Sequence, residues 1–151
     1  MCGIAGVLGD IGPGDAARVA RMIDIEKHRG PDASGLEVMP GAVLGHRRLA
    51  IIDLSARGIQ PMRSAHGAWL VLNGEIYNYR ELREELKNTY PFVTDSDSEV
   101  LLAAWHQWGE ACLERLNGMF AFCIYDVSTR RGFFARDRFG QKPLYFAERS
   151  D

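Results

Sequence analysis

A cysteine at position 2, directly after a methionine, is the residue with the most chemistry to offer. Aminopeptidases readily remove a methionine that precedes a small residue, so Met1 is expected to leave. The new first residue would then carry a thiol and a free α-amino group. The ordinary pKa of an α-amine is about 7.7–8.0 and that of a thiol about 8.5, so the amine can take the thiol proton directly or through one water. Base and nucleophile would share one residue. Position alone also permits a small, inert core cysteine at the start of a strand.

Four further positions carry polar chemistry at marked places. Arg48 is a planar fork suited to a carboxylate, or else a surface arginine. Asp97 falls in the first turn of a helix, where the dipole favours its charged form, or is a plain helix-start carboxylate. Asn73-Gly74 can present a side-chain amide and a backbone N–H to a developing negative charge. The same pair is also a strong hairpin signal. The next segment of the chain reads as a helix, which weakens the hairpin reading.

The histidines are less pointed. His28, His46, His66 and His106 have neither an i,i+4 partner nor nearby cysteine ligands, so no metal site is expected. Cys112 and Cys123 lie on apolar faces and read as core.

The elements that must position these residues are partly readable. Gly3–Leu8, Ala42–Gly45, Trp69–Leu72 and Met119–Tyr125 are nearly continuous apolar runs, predicting strands in sheets covered on both faces. Ser128–Gly132 followed by Phe133-Phe134-Ala135 predicts a hairpin after the last run. Asp15 is expected to cap a helix bearing Val19, Met22 and Ile23 that ends at Gly30-Pro31. Asn78 is expected to cap a second helix, with Glu81 at the capping-box position and Tyr79, Leu82 and Leu86 on one face. Ser96-Asp97-Ser98-Glu99 is a capping box opening a third helix, with Leu101, Ala104, Trp105 and Trp108 in register and Gly109 as its stop. A short fourth helix is predicted over Glu110–Leu116. Strands at both ends with helices between them argue for an α+β chain.

Composition narrows the partners. Eighteen Lys+Arg against twenty Asp+Glu give a net charge of −2, and with 46% apolar residues in 151 the chain fits one globular domain spanning 1–151. There is no basic field for nucleic acid and no apolar run of roughly 20 residues for a bilayer. Neither nucleic acid nor membrane is an expected partner. Three cysteines without CxxC spacing fit a reducing, cytoplasmic location.

Seven motifs occur in one order. They are Met1-Cys2-Gly3-Ile4-Ala5-Gly6, His28-Arg29-Gly30-Pro31-Asp32, Gly45-His46-Arg47-Arg48-Leu49-Ala50-Ile51-Ile52-Asp53, Asn73-Gly74-Glu75-Ile76-Tyr77-Asn78, Ser96-Asp97-Ser98-Glu99, Gly118-Met119-Phe120-Ala121-Phe122, and Arg136–Tyr145. Together they resemble the glutaminase domain of class II glutamine amidotransferases, over nearly the whole chain. Arg47-Arg48-Leu49-Ala50, where amidotransferases making glucosamine phosphate or phosphoribosylamine usually carry a Thr-Arg-Trp-Ala type motif, and Gln60-Pro61-Met62 favour the glutamine-hydrolysing asparagine synthetase branch.

The resemblance implies a fold and a site. The fold is that of N-terminal-nucleophile hydrolases, a four-layer αββα sandwich of two antiparallel sheets flanked by helices. Cys2 would be the nucleophile, and Asn73 and Gly74 the oxyanion hole. Arg48 would hold the L-glutamine carboxylate and Asp97 its ammonium, with Glu75 and the backbone of Ile52 lining the α-amino end. Arg136-Asp137-Arg138 would face a synthetase domain.

No GxxxxGK[ST] and no Ser-Gly-Gly-Leu-Asp-Ser type loop occurs in these residues, so no cofactor is expected in this domain. ATP and Mg are expected only in the missing synthetase domain, which would take up the ammonia and act on aspartate. The full-length form would admit a homodimer. Two other readings stay open: a glutaminase serving a peptide, sugar or natural-product acceptor, and a non-catalytic glutamine-binding or docking module.

Overall fold

The computed structural model describes Met1–Glu148. The first sheet is formed by β1 (Gly3–Leu8), β2 (Ala33–Met39) and β3 (Ala42–Arg48), in the order β1-β3-β2. The second holds β4 (Met62–Arg63), β5 (Ala68–Ile76), β6 (Gly118–Asp126) and β7 (Arg131–Arg136), in that order. Every strand pair is antiparallel. Helix α1 (Asp15–Ile25) lies on the first sheet, and α2 (Tyr79–Leu86) and α3 (Asp97–Trp108) lie on the side of the second. The chain is therefore α+β, two facing antiparallel sheets with helices outside.

The continuous apolar runs are explained by strand parity, because successive side chains leave a strand on opposite faces. On β5 and β6, Leu70, Leu72, Ile76, Phe120, Phe122 and Ile124 pack toward Leu101, Leu102 and Val100 of α3. Their neighbours Val71, Cys123 and Tyr125 pack instead against Met39, Ala42 and Leu44 of the first sheet. Both faces are covered, so neither can be polar. Gly45 of β3 serves the outer layer, since a Cβ there would press on Val19 Cγ1 at 2.7 Å and Ile23 Cγ2 at 2.8 Å.

Several expectations are corrected in detail. β3 and β5 extend past their apolar runs, to Arg48 and Ile76, because ladder hydrogen bonds continue through polar residues. β2 has no continuous apolar run, being half exposed, and is a strand because β3 pairs with it from Ala33↔Arg48 to Met39↔Ala42. Asp15 is the first residue of α1 rather than its cap; its Oδ2 accepts from Gly12 N at 2.8 Å and Gly14 holds the cap position. Helix α1 stops at Ile25 and gives way to a 3-10 turn, Glu26–His28, ahead of Gly30-Pro31.

Asn78 stands at the start of α2 without capping it. Its amide instead staples the Asn117 region, donating to Arg115 O at 2.9 Å and accepting from Asn117 N at 2.9 Å. The capping box of α3 forms on one side only, with Ser96 Oγ accepting from Ser98 N at 3.2 Å. Glu99 turns to the preceding loop and accepts from Thr94 N at 2.7 Å and Val93 N at 3.0 Å. The fourth helix is a 3-10 segment, Gly109–Glu114. No helix among the described residues is long and apolar enough to cross a membrane.

Candidate functional site

One cleft opens at the edge where the two sheets part and α3 begins. Cys2, Arg48, Ile52, Asn73, Gly74, Glu75 and Asp97 all line it, and so do Asp53, Gln60, Ser96, Ser98, Met119, Met1 and Lys142. The seven residues singled out from sequence come from five separate segments. Strand geometry accounts for much of this.

β1 and β3 pair in the register Gly3↔Arg47, which brings Cys2 level with Arg48. On β3, Ala42 and Leu44 face the second sheet, and the same parity turns His46 and Arg48 that way. On β5, Val71 faces the first sheet, and the same parity aims Asn73 and Glu75 back at Cys2 and Arg48. The Asn73-Gly74 pair thus lies inside a strand. Gly74 pairs with Phe120 across the ladder, and a Cβ at Gly74 would collide with the backbone of Met119 and Phe120. Close approach of the two strands requires the glycine there.

The Cys2 sulfur rests against the main chain just after β3. Leu49 N–H donates to Sγ at 3.5 Å, and Sγ lies 3.9 Å from Leu49 O. Arg29 Nε donates to the Cys2 carbonyl at 3.1 Å, which fixes the peptide following the cysteine. Burial pushes the Cys2 thiol up from its ordinary value, and the Leu49 hydrogen bond offsets part of this. A thiol in such a place needs a base to react. Met1 is in peptide linkage to Cys2 in this structure, and its side chain reaches across the cleft to Lys142, with Sδ 2.6 Å from Nζ.

Arg48 is buried and already engaged. Its guanidinium donates to Ser55 O at 2.7 Å and to Asp53 O, fastening the segment that carries Ile52 over the cleft. A Cβ at Gly58 would collide with the same guanidinium. Asp53 in turn accepts from Ser55 N at 2.8 Å and Asp95 N at 3.1 Å, and hydrogen bonds from Ser55 hold its carboxyl below the usual range.

Asp97 is buried at the first position of α3, and its Oδ2 accepts the Ile76 N–H at 3.0 Å. Burial raises its pKa, with Glu75 pushing in the same direction and the Ile76 and Ser98 N–H groups opposing it. Such a carboxylate gains from an ammonium placed beside it. Asn73 is 4% exposed, and its Oδ1 is enclosed without a hydrogen-bond partner. Donors, a cation, a carboxylate and a thiol therefore surround one small cleft. The set suits a zwitterionic amide whose side-chain carbonyl would meet the thiol.

Three residues at or beside the cleft escape a reading of the sequence alone. Gln60 is buried, accepts from Leu72 N at 2.6 Å and donates to Ser98 Oγ at 2.9 Å, tying β5 to the start of α3. His46 is fully buried between the sheets, with its Nε2–H donating to Leu72 O at 3.2 Å. Lys142 is 4% exposed and enters from the turn after β7. That turn is held by Asp137, whose carboxylate accepts N–H bonds from Phe120, Phe139, Gln141 and Lys142 at 2.9–3.2 Å. Nothing in the residue types at Gln60, His46 and Lys142 marks them as pointing inward, and only the packing shows it.

A family model described as a glutamine amidotransferase domain matches residues 1–151. Asparagine synthetase [glutamine-hydrolyzing] 1 of Bacillus subtilis (strain 168) is 41% identical, over 100% of this chain and 25% of its own length. Asparagine synthetase [glutamine-hydrolyzing] 2 of Arabidopsis thaliana is 44% identical over 96% of this chain and 25% of its own. Asparagine synthetase B of Escherichia coli (strain K12) is 41% identical over 96% and 26%. The chain spans about a quarter of the length of these relatives. A glutamine phosphoribosylpyrophosphate amidotransferase from B. subtilis, solved with ADP and GMP, superposes with a TM-score of 0.66 at 22% identity, covering 83% of this chain and 34% of that one. This superposition speaks for the fold.

Proposed function

Because the chain belongs to the glutamine amidotransferase domain family, we propose that it hydrolyses the side-chain amide of L-glutamine through Cys2. The observation that carries this reading is the convergence of Cys2, Arg48, Asn73, Gly74 and Asp97 on one cleft.

Removal of Met1 frees the α-amine of Cys2. That amine takes the thiol proton, and the thiolate attacks the amide carbon of glutamine. The Asn73 amide and the Gly74 N–H receive the charge that develops on the oxygen. Collapse breaks the C–N bond, with the α-ammonium giving its proton to the departing nitrogen, so ammonia and a γ-glutamyl thioester result. The amine then takes a proton from water, the hydroxide adds to the thioester, and the thiol regains that proton as glutamate leaves. One water is consumed, and nothing is oxidised or reduced. Arg48 and Asp97 hold the carboxylate and ammonium ends of glutamine, while Ile52 and Glu75 line the α-amino end.

The ammonia is proposed to serve a synthetase portion that makes asparagine from aspartate, as the names of the relatives suggest. ATP and magnesium would act there rather than at this cleft. The three cysteines are unpaired, in keeping with a reducing compartment such as the cytoplasm.

A glutamine-shaped electrophile with a diazoketone in place of the amide tests the site. One adduct per chain on Cys2, prevented by excess glutamine, is the expected result. Labelling of Cys112 or Cys123 instead, or labelling that glutamine leaves untouched, contradicts the reading.

A further inference from the structure

Lys142 presents a buried amine in a place the proposed reaction leaves unexplained. It is 4% exposed, lines the same cleft as Cys2, and pairs with no carboxylate among the described residues. Its Nζ rests against Met1 Sδ at 2.6 Å. A neutral thioether is a poor counterpart for an ammonium, since it offers only weak acceptance and no charge. The contact does fix where Nζ sits. A methionine sulfur is one short side chain from its own carbonyl, and that carbonyl is bonded to the Cys2 nitrogen. When Met1 leaves, the new α-amine and Nζ border the same vacated space.

We propose that Lys142 is a positioning residue for glutamine hydrolysis: its positive charge, set beside the newly freed α-amino group of Cys2, keeps that amine in its neutral, proton-accepting form. The inference rests on the glutaminase reading given above. Two cations close together disfavour each other, so the amine releases its proton at lower pH than it otherwise would. A cleft screens this repulsion less than open water does.

Lys142 is one of three cations around Cys2, and the one whose head group lies against the Met1 side chain. From the 3-10 turn after α1 comes Glu26, whose Oε2 is enclosed beside Gly3 and would favour the ammonium. Arg29, just beyond it, donates to the Cys2 carbonyl, a neutral acceptor that leaves its charge in place. Arg48 at the end of β3 donates to the neutral carbonyls of Asp53 and Ser55 and keeps its charge, which in the proposed reaction meets the glutamine carboxylate. Asp53, Glu75 of β5 and Asp97 of α3 bring carboxylates to the cleft, all favouring a protonated amine. Lys142 opposes them together with Arg29 and Arg48, and no carboxylate among the described residues pairs with it. The carboxylate of Asp137 accepts the Lys142 main-chain N–H at 3.0 Å and so anchors the residue from which the side chain reaches in.

The test observes the amine itself. Chain freed of Met1, verified by intact mass, is labelled with ¹³C at cysteine and titrated by NMR, with the Cys2 signal assigned by its loss in Cys2→Ala. Lys142→Met keeps the buried stem and removes the charge; it is expected to raise the apparent pKa of the amine by about 0.5–1 unit. Lys142→Arg restores the charge and is expected to restore the wild-type titration. The acid limb of kcat/KM for ammonia release should move upward by the same amount in Lys142→Met. Lys142→Gln repeats the reading should the methionine variant not fold. An unshifted titration in Lys142→Met or Lys142→Gln overturns the proposal, and so does a shift that Lys142→Arg shares. The titration needs no glutamine, so a shifted amine in a chain that releases no ammonia supports the role of Lys142 and contradicts the glutaminase reading alone.

Discussion

His46 on the first sheet and Leu72 on the second are joined across the sandwich, the imidazole Nε2–H donating to the Leu72 carbonyl at 3.2 Å. A carbonyl can only accept, so Nε2 carries the proton and Nδ1, enclosed without a partner, carries the lone pair. The bond lies one residue before Asn73 on β5 and two before Arg48 on β3. It ties together the two strands that meet in the cleft.

Acid should therefore loosen the site. Burial, aided by the nearby Arg48 charge and opposed by the Leu72 hydrogen bond, lowers the His46 pKa from 6.5 to about 4. Between those values the unfolded chain binds a proton that the folded chain refuses. Stability then falls as pH drops from about 6.5 to about 4, by on the order of 3 kcal/mol from this one group. Urea unfolding at stepped pH measures the slope. His46→Leu should flatten it in that window while lowering stability at pH 7, because the Leu72 carbonyl loses its donor.

Asn73 and Gly74 should fail in different ways. Asn73→Ala removes one donor and is predicted to lower kcat for ammonia release by roughly 10²–10³ with little change in KM. Gly74→Ala forces a Cβ into the backbone of Met119 and Phe120 and should lower stability by roughly 1–3 kcal/mol as well as activity. Thermal melts beside steady-state kinetics separate the two. An Asn73→Ala protein that loses only substrate binding would show its role to be misassigned.

Arg48 has two duties in this structure, and its variants should show both. Its guanidinium holds the carbonyls of Asp53 and Ser55 while facing the cleft. Arg48→Lys keeps a charge and loses the fork, so KM for glutamine should rise about 10-fold or more. Limited proteolysis should also find new cuts within 49–58. Unchanged KM with new cuts would leave Arg48 a loop anchor only.

Glutamine affinity should weaken on acidification above the usual carboxylate range. Burial raises the pKa of Asp97, and only its ionised form can pair with an ammonium. KM measured against pH should therefore climb as Asp97 protonates, and Asp97→Asn should give a high KM that no longer varies there.

The layers and the cleft are legible in the sequence to different degrees. Continuous apolar runs point to doubly covered strands because Leu72 and Val71 pack on opposite sides of one sheet. Cys2, Arg48, Asn73 and Asp97 are apt by residue type, yet position alone leaves a plain structural reading open for each, and the seven ordered motifs decide between the two. β2 is hidden, since Ser34, Gly35 and Glu37 carry no apolar pattern and the strand exists through its partner β3. Gln60, His46 and Lys142 are hidden for another reason. Whether a polar side chain on a turn or strand points inward depends on packing from elements far along the chain, as when Asp137 gathers four N–H groups to set the Lys142 turn.

The most direct measurement compares ammonia release from L-glutamine by three preparations defined by intact mass: chain lacking Met1, chain retaining Met1, and Cys2→Ala. Ammonia and glutamate are expected in equal amounts from the first alone. Comparable release from either of the others would contradict the Cys2 mechanism.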